Sequence, residues 1–213
     1  MPDRWVCLDV GETLVDETRI WSAWADELAI PRLTFMAALG AVLARGGDYR
    51  DVFGVFDVGD WRARIPAVED RYGGFREGDL YPDARRGLAA LESAGYRVAV
   101  AANQPAVRAD QLRALGIGPD VLAMSDALGV AKPDPAFFAS ILELLGDPEP
   151  GTVAYVGDRI DNDVEPAIAA GMRGVWIRRG PWALIQRPRT VEPALTVDTL
   201  DELAERIGEA WPD

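Results

Sequence analysis

Several short apolar runs in this sequence stop on a polar group. Trp5-Val6-Cys7-Leu8 leads into Asp9, Val98-Ala99-Val100-Ala101-Ala102 into Asn103, and Val153-Ala154-Tyr155-Val156-Gly157 into Asp158, while Lys132 stands directly before Pro133. An ionised carboxylate is costly inside an apolar core unless it is partnered. A strand that ends on one therefore places it at the open C-terminal edge of a parallel sheet, where ligands of such folds bind. Asp163 follows Asp158 by five positions, across a strand end and the start of the next helix, a spacing that suits a hard divalent cation with oxygen ligands. Acids and a lysine delivered to one crevice point to chemistry on phosphate assisted by a metal. Taken singly, Asp9 is compatible with a nucleophile, a metal ligand or a turn-forming cap, and the acidic loop with a solvated turn.

The elements that must position these groups follow from periodicity and punctuation. A first strand covers about Trp5 to Val10. Roughly Val15 to Leu80 then reads as a small helical insert, because Ile20, Trp21, Trp24 and Leu28, then Phe35, Leu39, Val42 and Leu43, recur at helical spacing between glycines. Beyond it Asp83 is placed to cap a helix whose Leu88, Leu91 and Ala94 share a face, closed by Gly95. Strands at Tyr96 to Ala102, Val121 to Met124, Val153 to Val156 and Gly174 to Ile177 alternate with further helices. Asp134 is suited to N-cap one of them, with Pro135 at its first position. Such alternation predicts a three-layer, Rossmann-like α/β fold with a parallel sheet, residues 1–14 and 81–213 forming the core and 15–80 a helical domain inserted after the first strand. Gly180 to Pro193, with three prolines among basic residues, reads as an extended surface connection.

The chain has 213 residues, 49% of them hydrophobic, which is ordinary for a protein that buries a full core. Its formal charge of −13 argues against a nucleic-acid partner, since phosphates would be repelled. The same charge makes capture of an anionic substrate depend on a cation and on local Lys or Arg. Cys7 is the one cysteine, so no internal disulfide forms, and buried, inert packing is its expected role. Without histidine, Ser-His-Asp and Cys-His catalysis and imidazole-based zinc sites are excluded. No stretch approaches transmembrane length and Met1-Pro2-Asp3-Arg4 lacks the pattern of a secretory leader, so a cytoplasmic protein with no membrane partner is expected. No motif speaks to an oligomeric state.

Jointly, Asp9-Val10-Gly11-Glu12-Thr13-Leu14, Asn103, Gly129-Val130-Ala131-Lys132-Pro133-Asp134-Pro135, Gly157-Asp158-Arg159-Ile160-Asp161-Asn162-Asp163 and Ala169-Ala170-Gly171-Met172 resemble the haloacid dehalogenase-like hydrolase superfamily, over nearly the whole chain. The helical insert is similar to that superfamily's small cap. The resemblance implies a magnesium-dependent hydrolase of small phosphorylated metabolites. Asp9 would be the nucleophile that forms an aspartyl-phosphate and also binds Mg2+. The Gly11 carbonyl and Asp158 would be further ligands, and Asp163 a carboxylate acting on the metal or its waters. Lys132 would neutralise the nucleophile and the phosphoryl group, and Asn103 and Arg159 are candidates to contact the substrate, Arg159 alternatively pairing with Asp161.

Two positions depart from that pattern. Phosphatases of the superfamily carry a second Asp two residues after the nucleophile, where this chain has Gly11; that Asp protonates the leaving oxygen and later activates water. Glu12, one residue further along, is the candidate replacement, although its side-chain direction differs. Ala102 stands where a Ser or Thr hydroxyl binds a phosphate oxygen. Two other readings follow from these departures: a catalytically silent fold that binds metal and phosphate-like ligands as a regulatory or interaction module, and, ranked last, a haloacid dehalogenase, in whose metal-free site Asp158 would repel a carboxylate substrate.

Overall fold

A computed structural model describes residues 3–187 and 191–212. A six-stranded sheet, every pairing parallel, runs in the order β3-β2-β1-β4-β5-β6, with β1 Trp5–Leu8, β2 Arg97–Ala102, β3 Val121–Met124, β4 Val153–Gly157, β5 Arg173–Ile177 and β6 Leu195–Val197. Strands buried on both faces read as continuous apolar runs, which is why β1, β2 and β4 show almost no alternation in sequence. Cys7, Ala99 and Tyr155 share a register row and lie on one face, where Phe137, Phe138, Ile141 and Leu145 of the helical segment 135–145 pack with Ala167 and Met172. Val6, Leu8, Val98, Val100 and Val156 alternate to the opposite face and are equally buried. Cys7 is fully buried, and burial pushes its thiol up to about 12, so it packs as a small apolar side chain.

The chain divides into two compact units, one built from residues before Glu17 and after Phe75, the other from Glu17–Phe75. The second unit is helical, with Thr18–Glu27, Arg32–Ala44 and Ile65–Tyr72 as its longer helices. Its core is aromatic. Trp24 lies 4.6 Å from Phe53, centroid to centroid, Phe53 stacks on Trp61 at 4.8 Å, and Trp21 packs on Phe35 and Tyr49. The tryptophans at helical spacing are therefore packing residues of this unit. Among the described residues no single helix is long and apolar enough to cross a membrane.

Two expectations are corrected. Residues 180–193 are not one extended connection: Gly180–Ile185 is a helix, Pro181 at its first turn, because Trp182 and Ala183 have apolar surface to bury. Residues 188–190 of that stretch lie outside the described residues, and Leu195–Val197 adds an edge strand that was not anticipated. Asp83 does occupy the N-cap position of Ala84–Ser93 but makes no side-chain bond there. Its carboxylate instead accepts from the Leu200 amide at 2.9 Å, at the start of a different helix, Leu200–Arg206. Asp134 behaves as expected, accepting from the Ala136 amide at 2.9 Å with Pro135 next to it.

Candidate active site

The order of the strands creates the site. From β1 the chain builds β2 and β3 on one side and β4 to β6 on the other, so the ends of β1 and β4 lie side by side where connections diverge, the usual ligand position in such sheets. Asp9 is the first residue past β1, and its amide donates to the Val156 carbonyl of β4 at 2.9 Å. The chain then turns tightly. The Leu14 and Val15 amides both donate to the Val10 carbonyl at 2.9 Å, and the Glu12 amide donates to the Val15 carbonyl at 2.7 Å. Glu12 adopts φ 50°, a left-handed conformation that costs a residue with a Cβ on the order of 1–3 kcal/mol.

Asp158 is the first residue past β4, and Asp163 is delivered by a wide π-type turn, Ile160–Val164. The carboxylates of Asp9, Asp158 and Asp163 are all buried, and one oxygen of each lies within 4.8 Å of the others. Lys132 reaches the same point from the loop after β3, its Nζ lying 2.8 Å from Asp9 Oδ1 and 2.6 Å from Asp163 Oδ1. Asp163 Oδ2 accepts from the Arg159 amide at 3.0 Å, which fixes the carboxylate across the turn. Gly157 is required here: a Cβ on it would overlap the Asp163 carboxylate.

The charges are out of balance, with three acids facing one ammonium. Burial pushes the Asp9 carboxyl up to about 6; Lys132 opposes this and Asp163 adds to it. For Lys132 burial acts downward, yet Asp163 and Asp9 together hold its ammonium above the usual lysine range. The lysine therefore stays charged. An all-oxygen donor set of closely gathered, buried carboxylates suits a hard cation such as Mg2+, so these residues fit the metal that the sequence implied.

The other sequence candidates lie in different arrangements. Gly11 is in the turn, bridged to Val15. The Glu12 carboxylate is not part of the acidic group: it is buried, accepts from the Tyr81 hydroxyl at 2.6 Å and presses on Gly180. Asn103 exchanges two hydrogen bonds with the Lys132 backbone, donating to its carbonyl at 2.9 Å and accepting from its amide at 2.8 Å, so its amide group positions the lysine. Arg159 forms the local pair with Asp161, at 3.1 and 2.8 Å. Sequence reasoning missed Tyr155, whose hydroxyl donates to the Ala101 carbonyl at 2.7 Å while its ring lies 5.3 Å below Lys132 Nζ. It also missed Tyr81 and Gln186.

A family model for haloacid dehalogenase-like hydrolases matches residues 4–171. The chain belongs to that family. Among curated relatives, a glyceraldehyde 3-phosphate phosphatase of Methanopyrus kandleri is 33% identical over 138 residues, 62% of this chain and 58% of that protein. Phosphatase MT3486 of Mycobacterium tuberculosis is 30% identical over 79% of this chain and 75% of its own length. The crystal structure of a HAD phosphatase from Thermococcus onnurineus superimposes with a TM-score of 0.64 at 26% identity, covering 97% of this chain and 98% of that one. The chain spans about half the length of the first curated relatives it matches, at 58%, 38% and 52%.

Proposed function

We propose that this protein is a Mg2+-dependent phosphatase of small phosphorylated metabolites that works through an aspartyl-phosphate on Asp9. The observation that carries this reading is the buried lysine bridging Asp9 and Asp163 beside Asp158, a charge arrangement that a cation and a phosphoryl group would complete. Relatives named as phosphatases support the reaction class. Asp9, the Gly11 carbonyl and Asp158 would hold the metal, with Asp163 acting on it or its waters. When bound, the metal supplies positive charge to the phosphoryl oxygens and to the ionised form of Asp9.

An ionised Asp9 oxygen attacks phosphorus, the bond from phosphorus to the leaving oxygen breaks, and that oxygen takes a proton from solvent. Water then attacks the phosphorus of the aspartyl-phosphate, giving inorganic phosphate and restoring the Asp9 carboxylate. Lys132 neutralises charge at both stages, held at its ammonium by Asp163 and at its backbone by Asn103. Neither proton transfer has an evident side chain: Gly11 has none, and Glu12 is engaged by Tyr81. A missing general acid or base lowers rates by roughly 10²–10⁴-fold, so acyl phosphates and p-nitrophenyl phosphate should be the better substrates. The helical unit Glu17–Phe75 takes the place in the chain of the family's small cap.

The engagement of Glu12 also favours a second reading, a catalytically silent protein that binds metal and phosphate. Hydrolysis of acetyl phosphate and p-nitrophenyl phosphate, with Mg2+ and with EDTA, decides between them. Mg2+-dependent turnover lost in Asp9→Asn supports the phosphatase; Mg2+ binding with no turnover of either compound supports the silent protein.

A further inference from the structure

A second set of bonded polar groups lies beyond residue 171, in the segment that follows β5 and outside the part matched by the family model. Arg179 is buried. Its Nη1 donates to the Thr13 carbonyl of the nucleophile loop at 3.0 Å, and its Nη2 pairs with Asp83. Its guanidinium carbon lies 4.4 Å from the centre of the Tyr81 ring, the ring whose hydroxyl binds Glu12. Gly180, at φ +62°, leaves the space that the Glu12 carboxylate fills; a Cβ there would come within 2.5 Å of its Oε2. Six residues on, Gln186 turns to the other loop. Its Oε1 accepts from the Ile160 amide at 2.8 Å and its Nε2 donates to Asp161 Oδ1 at 2.8 Å, while Arg159 lies over the Trp182 ring at 5.5 Å.

One short helix thus has a side chain at either end that grips a different loop, one carrying Asp9 and the other carrying Asp158 and Asp163. Arg179 holds the Thr13 carbonyl, Gln186 holds the Ile160 amide and the Asp161 carboxylate, and a single arginine makes three kinds of bond at once, which a lysine's point charge cannot reproduce. We propose that the segment Arg179 to Gln186 is a brace that sets the two acidic loops relative to each other, with Arg179 the positioning residue of the nucleophile loop and Gln186 that of the acidic turn. Glu12 then serves as the loop's anchor, its buried carboxylate tied to the brace through Tyr81 and Gly180, which accounts for a glutamate held in a left-handed turn. The proposal rests on the phosphatase reading only for its catalytic consequence; the positioning itself is a property of the fold.

The test uses the full chain with the substitutions Arg179→Met, Arg179→Lys, Tyr81→Phe and Gln186→Ala, read first by amide hydrogen exchange. Arg179→Met and Tyr81→Phe should speed exchange of the Glu12, Leu14 and Val15 amides by roughly tenfold or more, leaving the strand amides of β1 and β4 unchanged. Gln186→Ala should do so at Ile160 and Asp163 instead. Arg179→Lys should recover less than half of the lost protection. Mg2+ affinity by calorimetry should fall about 10–100-fold in Arg179→Met and in Gln186→Ala, the range seen when a group supporting a ligand is removed. With p-nitrophenyl phosphate, kcat should fall in the same proportion and KM stay within about twofold. Loop protection equal to wild type in Tyr81→Phe and Gln186→Ala overturns the brace, as does a uniform rise in exchange over the whole sheet. If wild type neither binds Mg2+ nor turns over substrate, the phosphatase reading fails while the exchange data still decide the brace; should Arg179→Met not fold, Tyr81→Phe carries the test of the nucleophile loop.

Discussion

Replacing Asp9 with Asn should stabilise the metal-free protein while abolishing its chemistry. The folded-state pKa of Asp9 is raised from 3.8 to about 6 by burial, so the ionised form weakens the fold. A carboxyl raised in this way carries its full penalty above its folded pKa, and the penalty disappears as pH falls toward the unfolded value. Linkage between 3.8 and about 6 makes it about 3 kcal/mol at pH 7.5, roughly half of that at pH 5 and under about 1 kcal/mol at pH 4. The asparagine avoids that penalty and keeps the packing, at the cost of one of the two carboxylate partners of Lys132. A net gain of about 1–3 kcal/mol at pH 7.5 is expected, roughly 2–12 °C in Tm for a chain of this size. Urea denaturation in EDTA from pH 7.5 to pH 5 reads it directly, and the gap between variant and wild type should narrow by about half over that range. Mg2+ at a hundred times its Kd should restore about 2.7 kcal/mol to wild type and far less to the variant. A variant less stable than wild type by more than about 1 kcal/mol in EDTA at pH 7.5, or a gap that ignores pH, would show that Lys132 holds Asp9 as a net stabilising anion and refute the reasoning.

Asp158→Asn should weaken Mg2+ binding by at least roughly tenfold in calorimetry, with folding retained. Gly157→Ala should push the Asp163 carboxylate off Lys132, costing about 1–3 kcal/mol in denaturant unfolding and most of the turnover of p-nitrophenyl phosphate. Gly11→Asp should raise turnover of alkyl phosphates, up to roughly 10²-fold or more, and change p-nitrophenyl phosphate less, once circular dichroism has shown that the variant folds. Fast wild-type turnover of an unactivated sugar phosphate, unaffected by Glu12→Gln, would instead show that another acid fills the role.

Much of the sheet was legible because its inner strands are buried on both faces and so appear as unbroken apolar runs stopping at Asp9, Asn103 and Asp158. The acidic group was legible for the same reason, since each acid falls at a strand end or the turn that follows. What escaped was non-local. Leu195–Val197 is only three residues long, too short for a periodicity. Glu12 was a candidate for the missing acid by its place in the sequence, and its hydrogen-bond partner Tyr81 stands 69 residues away. Asp83 looked like the cap of its own helix and instead meets the amide of Leu200, 117 residues on. Arg179 reaches Thr13 across 166 residues, and nothing in its own neighbourhood marks which of two adjacent arginines turns inward.

The central claim, that Asp9 takes up the phosphoryl group, is tested most directly by quenching the protein in acid during turnover of acetyl phosphate with Mg2+ and locating the phosphoryl group by peptide mass spectrometry. The account predicts one phosphoryl group on the peptide containing Asp9, accumulating during turnover, and absent in EDTA and in Asp9→Asn. Mg2+-dependent turnover with that peptide unmodified, or persisting in Asp9→Asn, would contradict it.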